Sequence, residues 1–298
     1  MIIPSVLFAI FLAIVGAVAW QHLRYLKLRR ERVDDRQPLL HRARAFHAIT
    51  YMKVAPDRSS IDALRALRDA VERPGGGRVV YAGLVGMNMV ASSQIPNDWS
   101  ALALVQYPSR EAYEATAARD DYRELLAGFE GSYTHGAIRG AGLSLMAPVG
   151  LLLLRLRDIV LRKPPIFPFE PAGDEALPAQ KVKMKEVEQL DAFRETKDDA
   201  VVIFNLIQPG NEEQRKADRS YGLEMLRGMA EGSYGPMHIG RAVTVEGDAR
   251  FTQFIAVYYP GIDHMHAMIG STFISLIGSG KQLGDSLAVA TIPVLSKL

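Results

Sequence analysis

Four side chains with acid–base and hydrogen-bonding capacity stand at regular spacings in two short segments of the first half of the chain. His47 and Tyr51 lie in one segment, and His135 and Arg139 lie in the other. If both segments are strands, residues four apart share a face, so each pair projects from one side of a sheet. An imidazole, a phenol and a guanidinium in one cleft could polarise a carbonyl group or take a proton from an activated carbon. These four residues are the candidates for catalysis.

Further polar side chains are expected to contact a ligand, and one of them, Gln106, shares the face of the four candidates. They are Tyr81, Gln106, His238 and Tyr258. His238 could serve as a lone axial ligand, or it could be an ordinary surface histidine. For the whole set, the alternative is that these groups are satisfied by hydrogen bonds at strand edges, because a shift of one residue in strand register would move each of them to the other face.

Two runs of strands and helices would position these residues. Residues 46–54, 61–71 and 78–88 are predicted to form a strand, a helix and a strand. Residues 99–140 then form an apolar strand, a helix capped by Ser109 and a short final strand. The order strand, helix, strand, strand, helix, strand is typical of a ferredoxin-like unit, which has a four-stranded antiparallel sheet with helices on one face.

The second half of the chain repeats this order. Strands are predicted at residues 200–208, 237–246, 251–259 and 286–294, with helices that begin at Asn211 and Ile262. The tetrapeptide Val257-Tyr258-Tyr259-Pro260 echoes Val105-Gln106-Tyr107-Pro108, 152 residues earlier. Matching elements in matching order predict a duplicated α+β module. The predicted fold is therefore tandem ferredoxin-like (βαββαβ) domains at residues 45–141 and 199–298.

The first segment has the properties of a membrane anchor. Residues 2–20 carry no charge, and nineteen helical residues span roughly 28 Å, the thickness of a bilayer's hydrocarbon core. A cleaved signal peptide is the alternative, since Ala17-Val18-Ala19 resembles a cleavage site, but the basic residues follow the apolar run instead of preceding it. The positive-inside rule then predicts a single-pass protein of the inner (cytoplasmic) membrane whose domains face the cytoplasm. The expected membrane contacts in this part are Trp20, Arg24, Arg29 and Arg30.

Two connecting regions accompany these domains. Residues 1–44 comprise the anchor and a basic juxtamembrane helix predicted to run to Arg44 over the anionic leaflet. Residues 142–198 contain a second apolar run at 143–154, a proline-rich linker at 164–178 and a short charged helix at 181–195. The apolar run is too short to span a bilayer, so it is either a linking helix packed on a domain or an interfacial segment. In the second case Leu151, Leu152 and Arg155 would contact the membrane.

Composition excludes several classes of function. The 298-residue chain has no cysteine, which removes disulfides, thiolate metal sites and a cysteine nucleophile. A net charge of +2 gives no indication of nucleic acid as a partner. His264 and His266 lie two residues apart on a predicted helix, where their rings diverge, and we expect solvated or capping histidines there instead of a metal site. Pro74-Gly75-Gly76-Gly77 lacks the Lys-Ser/Thr pair of a phosphate loop. No cofactor is predicted.

The chain resembles the dimeric α/β-barrel superfamily of ferredoxin-like domains. It is most similar to the small uncharacterised bacterial members and to antibiotic-biosynthesis-type monooxygenases. The residues that carry the resemblance are Tyr81-Ala82-Gly83, the run from Val105 to Tyr113 and Asp120-Asp121-Tyr122, with Tyr259-Pro260 in the second half. The resemblance implies that two sheets face each other around a barrel, here within one chain. It also implies small hydrophobic ligands, and in some members cofactor-free oxygenase, isomerase or cyclase activity or bound haem, although fold alone does not choose among these.

Three functional hypotheses follow. The first is a membrane-anchored protein that binds a hydrophobic small molecule, such as a lipid, quinone or terpenoid, in its barrel cleft. The second is a cofactor-independent monooxygenase or isomerase that acts on a membrane-dissolved substrate. The third is a structural subunit of a membrane complex. A homo-oligomer is compatible with each of them.

Overall fold

The computed structural model describes residues 2–33, 35–73, 76–173, 186–193, 200–273 and 284–298. Seven helices and eight strands are assigned in these ranges. The helices are α1 (Ile2–Arg32), α2 (Ser60–Val71), α3 (Arg110–Ala117), α4 (Asp120–Ala127), α5 (Leu143–Val160), α6 (Glu212–Gly232) and α7 (Ile262–Ile269). The strands are β1 (Phe46–Lys53), β2 (Arg78–Val90), β3 (Ala101–Tyr107), β4 (Gly131–Ile138), β5 (Val201–Gln208), β6 (Gly235–Thr244), β7 (Gln253–Tyr259) and β8 (Asp285–Pro293). Short 3₁₀ helices span Glu188–Phe193 and Leu295–Lys297.

All eight strands join in one closed antiparallel barrel. The order around it is β1-β3-β2-β8-β5-β7-β6-β4, and β4 pairs back with β1. Within the first half the neighbours run β4-β1-β3-β2, and within the second half they run β8-β5-β7-β6. The seams between the halves are the pairs β2–β8 and β4–β6. The predicted α+β class is confirmed, as an eight-stranded antiparallel barrel.

Helices α2, α3 and α6 each begin at a residue whose side chain caps the first turn. The Ser59 hydroxyl accepts a hydrogen bond from the Asp62 amide, and the Ser109 hydroxyl accepts one from Ala112. Asn211 and Gln214 form a reciprocal capping box. Each cap satisfies backbone donors that the first helical turn leaves without partners. The caps therefore fix the residues at which α2, α3 and α6 begin.

The predicted single helix after Ser109 is divided into α3 and α4. Its interruption lies at Arg119, whose backbone is extended (φ −73°, ψ 140°). The Arg119 guanidinium donates to the Ala70 carbonyl of α2 at 3.0 Å and pairs with Asp121 at 2.7 Å. The contact with Ala70 joins Arg119 to a neighbouring helix. The hydrophobic periodicity of residues 110–127 gives no indication of such a contact.

The interior of the barrel is filled with side chains. Alternate residues of every strand point inward, and the large apolar ones belong to one continuous buried cluster: Ile49, Tyr51, Leu102, Leu104, Phe204, Leu206, Phe254, Leu287 and Val289. At Gly83 even a Cβ atom would lie 2.8 Å from Thr291 Cβ and from the Tyr81 hydroxyl. At this level the side chains interdigitate, because eight strands bring them close together. Binding of a small molecule in a barrel cleft stays a prediction.

The juxtamembrane region differs from the predicted continuous helix to Arg44. Helix α1 ends at Arg32, and residues 35–45, which we call the strap, cross one end of the barrel to enter β1. The Arg36 amide donates to the Val80 carbonyl at 2.8 Å, and the His41 amide donates to Ala141 at 3.1 Å. Arg29, predicted to face lipid headgroups, is 4% exposed and forms an ion pair with the buried Asp35. That prediction is wrong because Asp35 draws the guanidinium inward.

Helix α1 is otherwise exposed along its apolar length. Within the described ranges one helical stretch, Ser5–Lys27, is long and apolar enough to cross a membrane. Trp20 is exposed, and the Arg24 guanidinium stacks over its ring at 5.5 Å. The structure does not describe the side chain of Arg30, which was also predicted to contact the membrane. In the last turns of α1 the Tyr25 hydroxyl donates to the Pro236 carbonyl of the barrel at 2.7 Å.

Helix α5 is longer than the apolar run that predicted it. Leu151 and Leu152 are buried against the barrel and α6, so the prediction that they contact the membrane is wrong for the described structure. Arg155 forms an ion pair with Glu231 of α6 at 2.9 Å. The predicted linker and charged helix lie partly in residues 174–185 and 194–199, outside the described residues, as do Pro74 and Gly75.

Candidate binding site at the strap end of the barrel

A cluster of polar side chains lies inside the barrel end that the strap covers. Arg139 follows β4 and donates hydrogen bonds to Gln37 of the strap, to Ser144 of α5 and to His238 Nδ1, the last at 2.9 Å. The His238 ring lies 4.7 Å from the ring of His47. All five of these side chains are less than one-tenth exposed. Residues from four separate parts of the chain therefore form one buried polar site.

The cluster carries excess positive charge. Arg29 and Asp35 neutralise each other, and Arg139 adds a second guanidinium that forms no ion pair with a carboxylate among the described residues. Burial lowers the pKa of Arg139 to about 10, and the nearby Asp35 carboxylate opposes this effect. Burial raises the pKa of Asp35, while the Arg29 guanidinium opposes the rise. At neutral pH Asp35 is ionised because it directly contacts the buried guanidinium of Arg29. The site is thus suited to attract an anion or a carbonyl oxygen.

The two histidines of the cluster are neutral hydrogen-bonding groups. Burial, with a further contribution from Arg139, lowers the pKa of His47 to about 3 and that of His238 well below its usual value. His238 Nδ1 lies 2.9 Å from the Arg139 guanidinium, which donates, and 3.1 Å from Gln37 Oε1, which accepts, so its own role depends on which ring nitrogen carries the proton. Nε2 of His238, Nδ1 of His47 and Nε of Arg139 are buried and have no hydrogen-bond partner among the described residues. An acid–base role at neutral pH is disfavoured, since the efficient range of pKa lies near the working pH.

An open groove of about 750 Å³ adjoins this cluster. Its apolar wall comes mainly from the strap and the end of β3, and its polar wall carries two arginines. The lining residues are Pro38, Leu40, His41, Arg42, Ala45, Gly76, Gly77, Arg78, Gln106, Tyr107 and Pro108. The volume lies within the range of small-molecule sites, and none of these lining residues is acidic.

Gln106 connects the groove to the buried cluster. Its side chain lines the groove, and its Oε1 accepts a hydrogen bond from His47 Nε2 at 3.3 Å. His41, also on the groove wall, lies with its ring 5.2 Å from that of His47. A molecule seated in the groove is therefore one side chain away from the buried imidazoles.

The four candidate catalytic residues do not converge. His47 and Arg139 belong to the strap-end cluster, where both contact His238. Tyr51 and His135 lie deeper in the barrel, on either side of Tyr133, whose hydroxyl hydrogen-bonds His135 Nδ1 at 2.7 Å. Burial raises the pKa of Tyr51 and lowers that of His135 to about 4. The alternation correctly placed each pair on the inner face, but their separation along β1 and β4 divides them into two groups.

The remaining predicted ligand contacts have different surroundings. Tyr81 is fully buried, and its hydroxyl shares a hydrogen bond of 2.7 Å with Thr291. Tyr258 is buried inside the barrel, opposite Val202 and Gly235. Neither residue lines the groove. Among the described residues no group of three histidine, aspartate or glutamate side chains could hold a metal ion.

Sequence reasoning missed the residues that the strap contributes. The predicted basic helix to Arg44 places Gln37, His41 and Arg42 over the anionic leaflet, and it assigns no role to Asp35. Pro38, in the middle of residues 35–45, was the available signal, because proline disfavours a helix that continues through it.

We predict that His135→Gln reduces the pH dependence of stability. The folded protein resists protonation of His135 down to about pH 4, whereas the unfolded chain takes up that proton near pH 6.5. Between those values the unfolded state binds more protons, so the free energy of unfolding falls as the pH is lowered, by at most about 1.4 kcal/mol per pH unit for this group. Denaturant unfolding of the full chain in mild detergent at several pH values should show a shallower fall for the variant.

The control is His266→Gln. His266 lies near the surface, where it pairs with Asp191 at 3.0 Å. A His135→Gln profile that coincides with both the parent and this control would contradict a buried, neutral His135.

No family model matches the sequence, and no curated protein matches it. Among solved structures the chain is similar to an anthrone oxidase-like protein, at 10% identity over 85% of this chain and 92% of that chain, with a TM-score of 0.46. It is also similar to a dye-decolorizing protein from V. cholerae (12% identity, 85% and 95% coverage, TM-score 0.42). A third is a putative monooxygenase from Lactobacillus acidophilus (11% identity, 84% and 93% coverage, TM-score 0.39). These likenesses carry no information on the chemistry of the groove.

Proposed function

We propose that this protein is a membrane-anchored binding protein for an amphiphilic small molecule with an anionic head. The groove is the observation that supports this proposal. It combines an apolar wall with the two guanidinium groups of Arg42 and Arg78, and it has no carboxylate among its lining residues. An acyl or prenyl chain would lie along Pro38 and Leu40. The head would lie between the arginines, because a guanidinium binds carboxylate and phosphate groups with two parallel hydrogen bonds.

The surroundings of the groove support this assignment. Gln106 would offer its amide to the head, with the positive charge of Arg139 and the neutral imidazoles behind it. Arg139 is already held by Gln37, Ser144 and His238, so its guanidinium does not need to reorder when the ligand enters. This arrangement favours binding over proton transfer.

The proposal includes the architecture around the site. The two halves of the barrel are tandem ferredoxin-like units, a proposal supported by their equivalent strand orders. Helix α1 anchors the protein in the inner membrane, and the barrel faces the cytoplasm, as the basic residues after Trp20 indicate. Because the strap connects the anchor directly to the groove, an amphiphile would pass from the bilayer to the site over a short distance.

We predict that Arg42→Glu with Arg78→Glu abolishes retention of anionic amphiphiles. Two attractive charges become repulsive, which should weaken binding by at least about tenfold even for partly exposed groups. The measurement is mass spectrometry of lipophiles that co-purify with the full chain in mild detergent, followed by titration with a spin-labelled fatty acid.

The matched control is Arg215→Glu with Arg219→Glu. Both arginines are exposed on α6, so the control has the same net charge with the groove unchanged. Equal loss in the two double variants would show that net charge, and not the groove, retains the amphiphile. A parent protein that retains no anionic lipophile and binds no fatty acid would overturn the proposal.

A further inference from the structure

Helix α5 presents an apolar face that nothing in the described structure covers. Its buried side, which includes Leu151 and Leu152, packs on the barrel and α6. On the other side Leu153 is 56% exposed, Ile159 is 59% exposed and Val160 is 78% exposed. Met146 and Leu156 extend the same exposed surface. Exposed apolar side chains that are contiguous on one helix face mark an interaction surface.

The direction of α5 relative to α1 indicates where this exposed face lies. Arg139 joins Ser144, at the start of α5, to Gln37 of the strap. Farther along α5, Leu151 lies beside Gly235, next to the Pro236 carbonyl that Tyr25 of α1 contacts. Helix α5 therefore runs back along α1, toward the apolar stretch of the anchor.

Distances along the two helices place the end of α5 near the level of Trp20 on α1. From Leu151 to Val160 the helix rises roughly 13 Å, and from Tyr25 back to Trp20 α1 rises roughly 7 Å. The exposed end of α5 thus reaches at least the level of Trp20, a residue type that is enriched at the bilayer interface.

Charge next to this face agrees with an anionic surface. Arg162 and Lys163 follow directly after Val160 and Leu161 and are exposed. On α1, Arg24 lies beside Trp20. An apolar helix face flanked by basic side chains is typical of helices that lie in the interface of an anionic membrane.

We propose that the outer face of α5 docks on the same leaflet through which α1 passes, as a second and interfacial membrane contact. This proposal rests on the membrane anchor of the proposed function. Two contacts fix the orientation of the barrel against the bilayer, so that the groove stays close to the lipid source.

The test uses single cysteines, because the chain has none of its own. Three variants of the full chain are each spin-labelled and reconstituted in vesicles of phosphatidylcholine with phosphatidylglycerol. They are Val160→Cys, Ile10→Cys in the anchor and Glu114→Cys at an exposed position of α3. Collision rates with oxygen, which concentrates in lipid, and with a nickel chelate, which stays in water, then give the depth of each label.

The proposal predicts a ratio of oxygen to nickel collisions at Val160 that is several-fold above that at Glu114 and below that at Ile10. A water-like ratio at Val160 with a deep Ile10 would overturn the docking of α5 while leaving the anchor intact. A water-like ratio at Ile10 would overturn the anchor and, with it, this inference. Spin–spin broadening at Val160 would show a second copy on this face and would also overturn the proposal.

Discussion

Asp35→Asn is expected to lower the free energy of unfolding by about 3–5 kcal/mol, the usual consequence of breaking a buried ion pair. Among the described residues Asp35 is the carboxylate that contacts Arg29, and Arg139 lies nearby as a second buried guanidinium. With an amide in its place, two cations stay inside the protein without a compensating charge. Denaturant unfolding of the full chain in mild detergent measures the loss.

Two further variants test the cause of that loss. Arg29→Met combined with Asp35→Asn removes both charges of the pair and should recover at least about 1 kcal/mol relative to Asp35→Asn alone. Glu114→Gln breaks the exposed pair with Arg110 and should cost less than about 1 kcal/mol. An Asp35→Asn loss no larger than that of Glu114→Gln would mean that the strap does not close the barrel end as described.

Phe204→Ala is expected to cost about 3–5 kcal/mol because it leaves a cavity in a filled barrel. The Phe204 ring is fully buried, with ring centroids at 5.0 Å from Tyr81 and 5.9 Å from Phe254. The new cavity would be lined by apolar groups, so a small apolar probe such as benzene should bind there and restore part of the stability. Thermal unfolding with and without benzene measures both effects.

The parent protein is the decisive comparison for Phe204→Ala. If benzene stabilises the parent as much as it stabilises the variant, the barrel already holds an open apolar cavity and its filled interior is contradicted. Leu223→Ala, at a partly exposed position on α6, controls for loss of helix packing and should cost less than about 1.5 kcal/mol.

The secondary structure was largely predictable because its signals are local. Period-two alternation indicated β1 and β4, and the caps at Ser109 and Asn211 indicated where α3 and α6 begin. The same alternation put His47, Tyr51 and His135 on the inner face of their strands, since strand geometry leaves two choices of face. The division of the helix at Arg119 escaped prediction because its cause, a hydrogen bond to Ala70, lies on another helix.

The candidate site was less predictable because it depends on contacts between distant segments. Arg29 is buried by Asp35, and Gln37 reaches Arg139 across the barrel end, a pairing that no spacing in the sequence indicates. Likewise, the volume inside the barrel depends on all eight strands together, so no single strand could show that Phe204 and Leu104 fill it. The groove exists because the strap leaves the helical path after Arg32.

Photo-cross-linking shows whether an anionic amphiphile occupies the groove. The full chain in nanodiscs is illuminated with a fatty acid that carries a diazirine on its chain, and adducts are mapped by peptide mass spectrometry. We expect adducts within residues 38–45 and 106–108, which excess unlabelled oleic acid removes and Arg42→Glu with Arg78→Glu prevents. Adducts confined to the exposed faces of α1 and α5, unaffected by competitor or by the double variant, would contradict binding in the groove.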